Sequence, residues 1–357
     1  MPHLSEVPTF RFIGSKHYNL VNLLSVIEKE NINGETFLDV FSGSASVSVY
    51  FKKLYDIISN DNLYFSYILQ RSLVMLNDYP KFLGLDNITS NGSSDDLFKT
   101  TLDYLNNINT YQGFIYRHYT PASLEYDNIE RKYFSEYNGS KIDAIRIEVE
   151  NWMKESLINQ DEYYYLLSAL LFAVQKVSNI SGTYGAYNKI WDPRSTKTLN
   201  LKPIPIIKSQ HNHKAYNADI FTIIDDIHTD IAYLDPPYNS RQYISNYHIL
   251  ETIARYDNPE INGKTGMRRY ADNEKSVFCS VNKASDKLLE LLNKLNAKTV
   301  LLSYNSDGIM SKEDIIDIFK SSKYKFYKVY IFPYKRFKSN SKTDGSKIEE
   351  YIFVGGK

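Results

Sequence analysis

The chain has 357 residues, with 42 basic and 42 acidic side chains, so it lacks the net positive charge that would mark a polyanion binder at a glance. Hydrophobic residues make up 43% and charged residues 24%, which gives enough apolar material for a packed core and argues against disorder. A single cysteine, Cys279, excludes an intramolecular disulfide and a cysteine-rich zinc site, and His211 and His213 have no companions at a ligand spacing, so no metal site is expected.

In chain order, Met1 to Arg11 lacks a basic-then-apolar signal pattern. The spacing of Leu20, Leu23, Leu24 and Ile27 predicts a helix over Lys16 to Glu28, broken by Asn33-Gly34. Thr36 to Phe41 reads as a buried strand, Ser42-Gly43-Ser44 as a tight turn, and Ala45 to Leu54 as a helix with Val47 and Phe51 inward. Tyr55 to Ser59 is a second strand ending at Asn60-Asp61, and a further helix runs to about Leu76. This β-α-β order implies parallel strands.

From Asp78 to Leu201 the character changes to long helical stretches, chiefly Ser140 to Glu155 and Asp161 to Val177, without a strand series. The apolar run Tyr163 to Val174 is too short to span a bilayer, and a cytoplasmic protein is expected. Alternation then resumes, with strands at Asp230 to Leu234, Lys298 to Ser303, Lys325 to Phe332 and Glu349 to Val354, and helices at Lys283 to Leu295 and Ser311 to Ser321. The expected organisation is an α/β sheet divided between 1–77 and 202–357, with a mainly helical insertion at 78–201. Two stretches are locally basic despite the neutral total, Lys323 to Lys338 and Gly263 to Arg269.

An open α/β sheet binds its ligand beyond the carboxyl ends of its strands. Phe41-Ser42-Gly43, Asn60-Asp61 and Asp235-Pro236-Pro237-Tyr238 all fall at such ends and should meet in one crevice. Small residues in the first turn admit close approach of a ligand, and Asp61 is placed to accept ribose hydroxyls. Asp61 is equally placed to cap the helix that starts near Leu63. Gly14, Ser15 and Lys16 either turn the chain beneath a cofactor or simply start a helix.

Asp235-Pro236-Pro237-Tyr238 suits an unusual chemical task. The lone pair of an exocyclic ring amine is delocalised and nucleophilically weak. Two acceptors that take its N–H hydrogens draw the nitrogen towards tetrahedral geometry and free that lone pair. The Asp235 carboxylate and the Pro236 carbonyl supply such a pair, two prolines stiffen the loop, and Tyr238 offers a stacking face. A bare Pro-Pro-Tyr would be only a rigid turn. The acid and the preceding strand make the difference.

Taken together, Phe12 to Lys16, Asp39 to Ser46, Asp61, a long insertion and then Asp235 to Tyr238 resemble the Dam-like (alpha-group) adenine-N6 DNA methyltransferases. The stretch Asp235 to Asp257, with Gly263 to Gly266 after it, is similar to the methyltransferases of type II restriction-modification systems of the FokI kind. The resemblance implies a Rossmann-like methyltransferase sheet with an antiparallel final strand, and S-adenosylmethionine as cofactor. It implies double-stranded DNA as substrate, base flipping, and a cognate restriction endonuclease encoded nearby. Carried over by position, Phe12 (where relatives often have tryptophan), Gly14, Lys16, Asp39, Phe41, Gly43, Asp61, Asp219 and Asp235 would contact the cofactor. Relatives often have more glycine where this chain has Ser42, Ser44 and Ala45.

Candidate DNA contacts are Tyr184, Tyr187, Lys189 and Arg194 in the insertion, Arg241, Gln242 and Asn246 after the tetrapeptide, and Arg336 and Lys338 in the basic stretch. A loop packed on its own domain is the competing reading for the first group. Two other functions stay open: methylation of cytosine N4 or of RNA, and a DNA-binding module without activity. Cytosine enzymes usually begin the tetrapeptide with serine, and intact Asp61, Asp235 and Tyr238 disfavour an inactive module.

Overall fold

The computed structural model describes residues 3–90, 96–333 and 349–357. The chain opens with α1 (Leu20–Lys29), β1 (Thr36–Asp39), α2 (Ser46–Phe51), β2 (Asp56–Asn60) and α3 (Tyr64–Leu73). Helices α4 (Leu97–Asn107), α5 (Phe114–Tyr119), α6 (Ser123–Asp127), α7 (Glu136–Lys154) and α8 (Gln160–Val177) follow. Then come β3 (Lys214–Tyr216), α9 (Ile220–Ile223), β4 (His228–Leu234), α10 (Tyr243–Arg255), β5 (Ile261–Asn262) and β6 (Met267–Arg268). The chain ends in α11 (Ala284–Lys294), β7 (Asn296–Asn305), α12 (Lys312–Ser321), β8 (Lys325–Pro333) and β9 (Glu349–Gly356).

Seven strands form one sheet in the order β3-β2-β1-β4-β7-β9-β8, while β5 and β6 make a separate hairpin. The first five are parallel, and β9 runs antiparallel between β7 and β8. This is the Rossmann-like methyltransferase sheet with its antiparallel final strand, as expected. Strand β1 buries Phe37 and Leu38 on opposite faces, as both faces of the sheet are covered there, and ends on the buried Asp39. Helix α1 buries Leu20, Leu23 and Ile27 of the stripe read in its sequence, with Val26 joining them and Leu24 only half-buried.

Between α3 and β3 the regular elements among the described residues are all helical. Helix α8 starts at a capping box, in which Asn159 accepts from Glu162 N and the Glu162 carboxylate accepts from Asn159 N. It packs on α3, and Ser72 Oγ meets Ser168 Oγ at 2.5 Å between them. One buried cluster contains residues from α1, α3, α7, α8 and α10, so the core runs unbroken between sheet and helices.

Strand β3 and helix α10 are among the elements that the sequence did not announce. Strand β3 is three residues at the sheet edge, with no fully buried position to give it a pattern. Helix α10 follows the proline loop at once and breaks its helical geometry at Tyr247 (φ −122°, ψ 17°).

Candidate active site

The three strand-end turns do converge. Phe41 and Gly43 after β1, Asn60 and Asp61 after β2, and Asp235 and Pro237 after β4 line one crevice of about 830 Å³, counting its open mouth. Phe12 and Ile13 come from the segment before α1, Asp219 and Phe221 from the start of α9, and Gln242 and Tyr243 from the start of α10.

The glycine turn is tightly built. Gly43 has φ +51°, and a Cβ there would lie 2.7 Å from Phe12 Cε1, so glycine is what lets the Phe12 ring close against the turn. Phe12 stacks on Tyr247 with centroids 4.8 Å apart and planes at 4°. Ala45 also adopts the left-handed region, at φ 61°, one of the positions where the resemblance leads to an expectation of glycine.

Asp61 makes the helix cap foreseen for it and a second bond that was not. Its Oδ1 accepts from Leu63 N at 2.8 Å, the helix-start cap, and its Oδ2 accepts from Gly43 N at 2.8 Å, which ties the two turns together at the crevice wall. Burial raises its pKa to about 7 against those two N–H donors. Asp39 is 1% exposed, takes a hydrogen bond from Ser48 Oγ at 2.6 Å and is raised to about 6, chiefly by burial. Asp39 lies behind the wall rather than among the lining residues. Asp219 lines the crevice and caps α9 through Phe221 N at 3.0 Å.

Lys16 is almost fully buried, and its Nζ lies 3.2 Å from Asp235 Oδ1 and 2.5 Å from Glu350 Oε1. Burial alone would lower its pKa, but the Asp235 and Glu350 carboxylates override this and hold it well above its ordinary value. Asp235 is pushed up to about 7 by burial; Lys16 pulls it down and Glu350 pushes it up. Sequence reasoning missed Glu350, because nothing local marks an acid 334 residues from its lysine partner.

The Lys16 ammonium also lies 5.2 Å from the centre of the Tyr238 ring, which meets Tyr304 edge-on at 5.8 Å. Gly14, at φ +71°, passes so close that a Cβ would come 2.1 Å from the Tyr238 hydroxyl oxygen. Pro236 is buried beneath the loop, and Tyr238 accepts from Ile309 N at 3.0 Å, which fixes the tetrapeptide to the turn after β7.

A further wall was not anticipated. Glu274 to Phe278 lines the crevice, held by reciprocal bonds: Gln242 Nε2 donates to Ser276 O at 3.0 Å and Ser276 N donates to Gln242 Oε1 at 2.8 Å. Gln242 is thereby engaged with this wall and with the crevice.

The candidate DNA contacts divide. Lys189, Arg194 and Arg241 are exposed, though Arg194 is paired with Asp192. Tyr187 is half-buried and donates to Glu130 O at 3.0 Å. Tyr184 is 1% exposed and Asn246 2%, so both are part of the packing, and Tyr184 packs against α10 as well as against its own segment. Tyr184 N donates to Asn246 O at 2.8 Å, and Tyr184 O accepts from Tyr133 Oη and from His248 Nε2. In Gly263 to Arg269, Arg268 is 4% exposed and bound to Asp257, while Arg269 pairs with Glu260, so acids answer that basic stretch. Arg336 and Lys338 lie outside the described residues.

Among the described residues no group of three or more His, Cys, Asp or Glu side chains is arranged to hold a metal ion. No helix among them is long and apolar enough to cross a membrane.

Comparison with known proteins agrees with this geometry. The family described as D12 class N6 adenine-specific DNA methyltransferase matches residues 12–318. The type II methyltransferase M.FokI of Planomicrobium okeanokoites is 44% identical over 96% of this chain and 52% of its own length. The modification methylase StsI of Streptococcus sanguinis is 36% identical over 96% of this chain and 51% of its own. The type II methyltransferase M.NlaIII of Neisseria lactamica is 35% identical over 96% and 98%. The chain thus spans about half the length of the first two relatives and nearly all of the third.

Proposed function

The chain belongs to the D12 class N6 adenine-specific DNA methyltransferase family, and on that premise we propose that it transfers a methyl group from S-adenosylmethionine to N6 of adenine in a specific short duplex sequence. In this reading it is the modification enzyme of a type II restriction-modification system, works in the cytoplasm, and protects DNA from a cognate endonuclease encoded nearby. The observation that carries the reading is the meeting of the Asp235 acceptor loop with the Gly43 and Asp61 turns in one crevice.

The crevice suits the cofactor. Phe12, Phe41, Phe221 and Phe278 offer apolar faces for a purine, and Asp61, Asp219 and Asp235 offer acceptors for hydroxyls and a cationic centre. The buried Asn60 Oδ1 on its wall has no hydrogen-bond partner, as a polar ligand would require. Phe12, Gly43, Asp61 and Asp219 would hold the nucleoside part, with Gly14, Asp39 and Phe41 shaping the turns around it. When bound, the cofactor supplies an electrophilic methyl on a sulfonium.

The protein's own task is to hold the amine. Asp235 and the Pro236 carbonyl accept its two N–H hydrogens, Pro237 keeps the loop rigid, and Tyr238 presents its ring to the extruded base. The residues in 78–201 are proposed as the target-recognition insertion. Lys189, Arg194 and Arg241 are exposed cations there and beside the tetrapeptide proposed to meet DNA, and Arg336 and Lys338 are proposed phosphate contacts.

Incubation with tritiated S-adenosylmethionine and adenine-containing duplex, followed by identification of the labelled nucleoside, tests this. Label in N6-methyladenine is the expected result. Label only in N4-methylcytosine or in RNA, or DNA binding without label, would overturn it.

A further inference from the structure

Lys16 stands between two carboxylates, and the division is unequal. Its ammonium is 2.5 Å from Glu350 Oε1 and 3.2 Å from Asp235 Oδ1. Glu350 is 1% exposed and is paired in register with Asn305, the last residue of β7, so the final sheet strand delivers this acid to the strand ends where Asp235 sits. A single buried Lys–Asp pair would balance its own charge. Adding a second carboxylate leaves a net negative charge in a dry site, which is unfavourable unless it serves a purpose.

We propose that Glu350 is a positioning residue for methyl transfer: it draws the Lys16 ammonium away from Asp235, so that the Asp235 carboxylate keeps its acceptor capacity for the N–H of the target amine. This inference rests on the amine-methylation reading above. An ammonium seated squarely on Asp235 would occupy the lone pairs that the amine needs and lower the basicity of the carboxylate. Glu350 prevents this twice, by competing for the ammonium and by placing a like charge near Asp235. The upward push of Glu350 on Asp235 is the electrostatic trace of that arrangement. Lys16 remains close enough to stop the two acids from repelling each other apart.

Glu350→Gln removes the like charge while keeping the size of the side chain. Lys16 should then turn to Asp235, kcat should fall about tenfold with little change in the KM for DNA, and Asp235 should titrate about one pH unit lower. The titration is read directly by carbon-13 NMR of carboxyl-labelled aspartate, with the Asp235 resonance assigned by Asp235→Asn. A lowered kcat with an unmoved Asp235 titration would show a merely structural role and overturn the proposal, as would wild-type kcat. Should E350Q fail to fold, Glu350→Asp retracts the charge and should move the titration in the same direction by less; no movement counts against the proposal. A wild-type protein that methylates no DNA amine would sink the activity reading, while a shifted titration in E350Q would still support the tuning of Asp235.

Discussion

The backbone N–H of Tyr184 donates to the carbonyl of Asn246 at 2.8 Å, immediately before the break in α10 at Tyr247. The break leaves that carbonyl available to the insertion, and the insertion uses it. His248, one residue past the break, returns the contact by reaching Tyr184 O at 2.9 Å. The helix that begins just after the Asp235–Tyr238 loop is therefore fastened to the segment that carries Tyr187 and Lys189.

His248→Ala should loosen that fastening. Burial lowers the His248 pKa to about 3, so the ring is a neutral, fully buried packing element. Its loss leaves a cavity and a weakened carbonyl, at a cost of about 2–4 kcal/mol. Urea unfolding should show the loss, and hydrogen exchange should show faster exchange at Tyr184. Unchanged protection there would refute the coupling.

Asp235 sets an acid limit on activity. With its pKa raised to about 7 by burial, it is protonated, and a poorer acceptor, below that pH. For the free enzyme kcat/KM should fall as pH drops through about 7, approaching tenfold per unit. Asp235→Ala should abolish transfer while leaving cofactor binding weakened but measurable. Initial rates between pH 5.5 and 9 check the first point and calorimetry the second. A flat acid side or an active variant would contradict the proposed role.

Asp39→Asn should exchange function for stability. The folded pKa, about 6, lies above the ordinary 3.8, so the folded protein holds a proton that the unfolded chain has released in between. The destabilisation is absent below about pH 4, grows as pH rises, and is fully present above about pH 6. A shift of that size corresponds to about 3 kcal/mol. The variant should melt higher than wild type at pH 8 and lose much of that advantage near pH 5. An equal difference at both values would rule out this origin.

Gly14→Ala tests the support of Tyr238. A methyl group there meets the tyrosine hydroxyl oxygen at 2.1 Å, on a backbone at φ +71°. The backbone strain alone costs about 1–3 kcal/mol. The variant should lose kcat more than cofactor affinity, since Gly14 touches the stacking ring and does not line the crevice. Wild-type turnover would mean that the ring position is unimportant.

Ala45→Gly should do the opposite and relieve strain. Ala45 sits at φ 61°, where an L side chain is disfavoured by about 1–2 kcal/mol, partly offset by the greater freedom of glycine when unfolded. A net gain of about 1 kcal/mol or less in denaturant unfolding is expected. A loss would mean that the Ala45 methyl, fully buried, contributes more by packing.

The strand ends could be read in advance because β1, β2 and β4 are short apolar runs closed by turn residues, and parallel sheets gather such ends on one edge. The Asp61 cap and the Gly43 turn followed from the same local chemistry. Glu350 could not be found this way, since its role is fixed by the pairing of β7 with β9 and not by its neighbours in sequence. Tyr184 and Asn246 misled for a related reason. Polar residues near the Asp235–Tyr238 loop, or in a loop of the insertion, look like surface contacts until tertiary packing buries them. Strand β3 was invisible because three residues at an edge carry no period.

The span from Lys16 to Glu350 also bears on how the protein comes into being. A contact across 334 residues forms late, because the loop it closes is nearly the whole described chain. While the ribosome is still extending the polypeptide, Lys16 and Asp235 can meet, but the acid that divides the ammonium between them has not yet been made. Synthesis itself thus sets the order in which the charges of the centre are assembled.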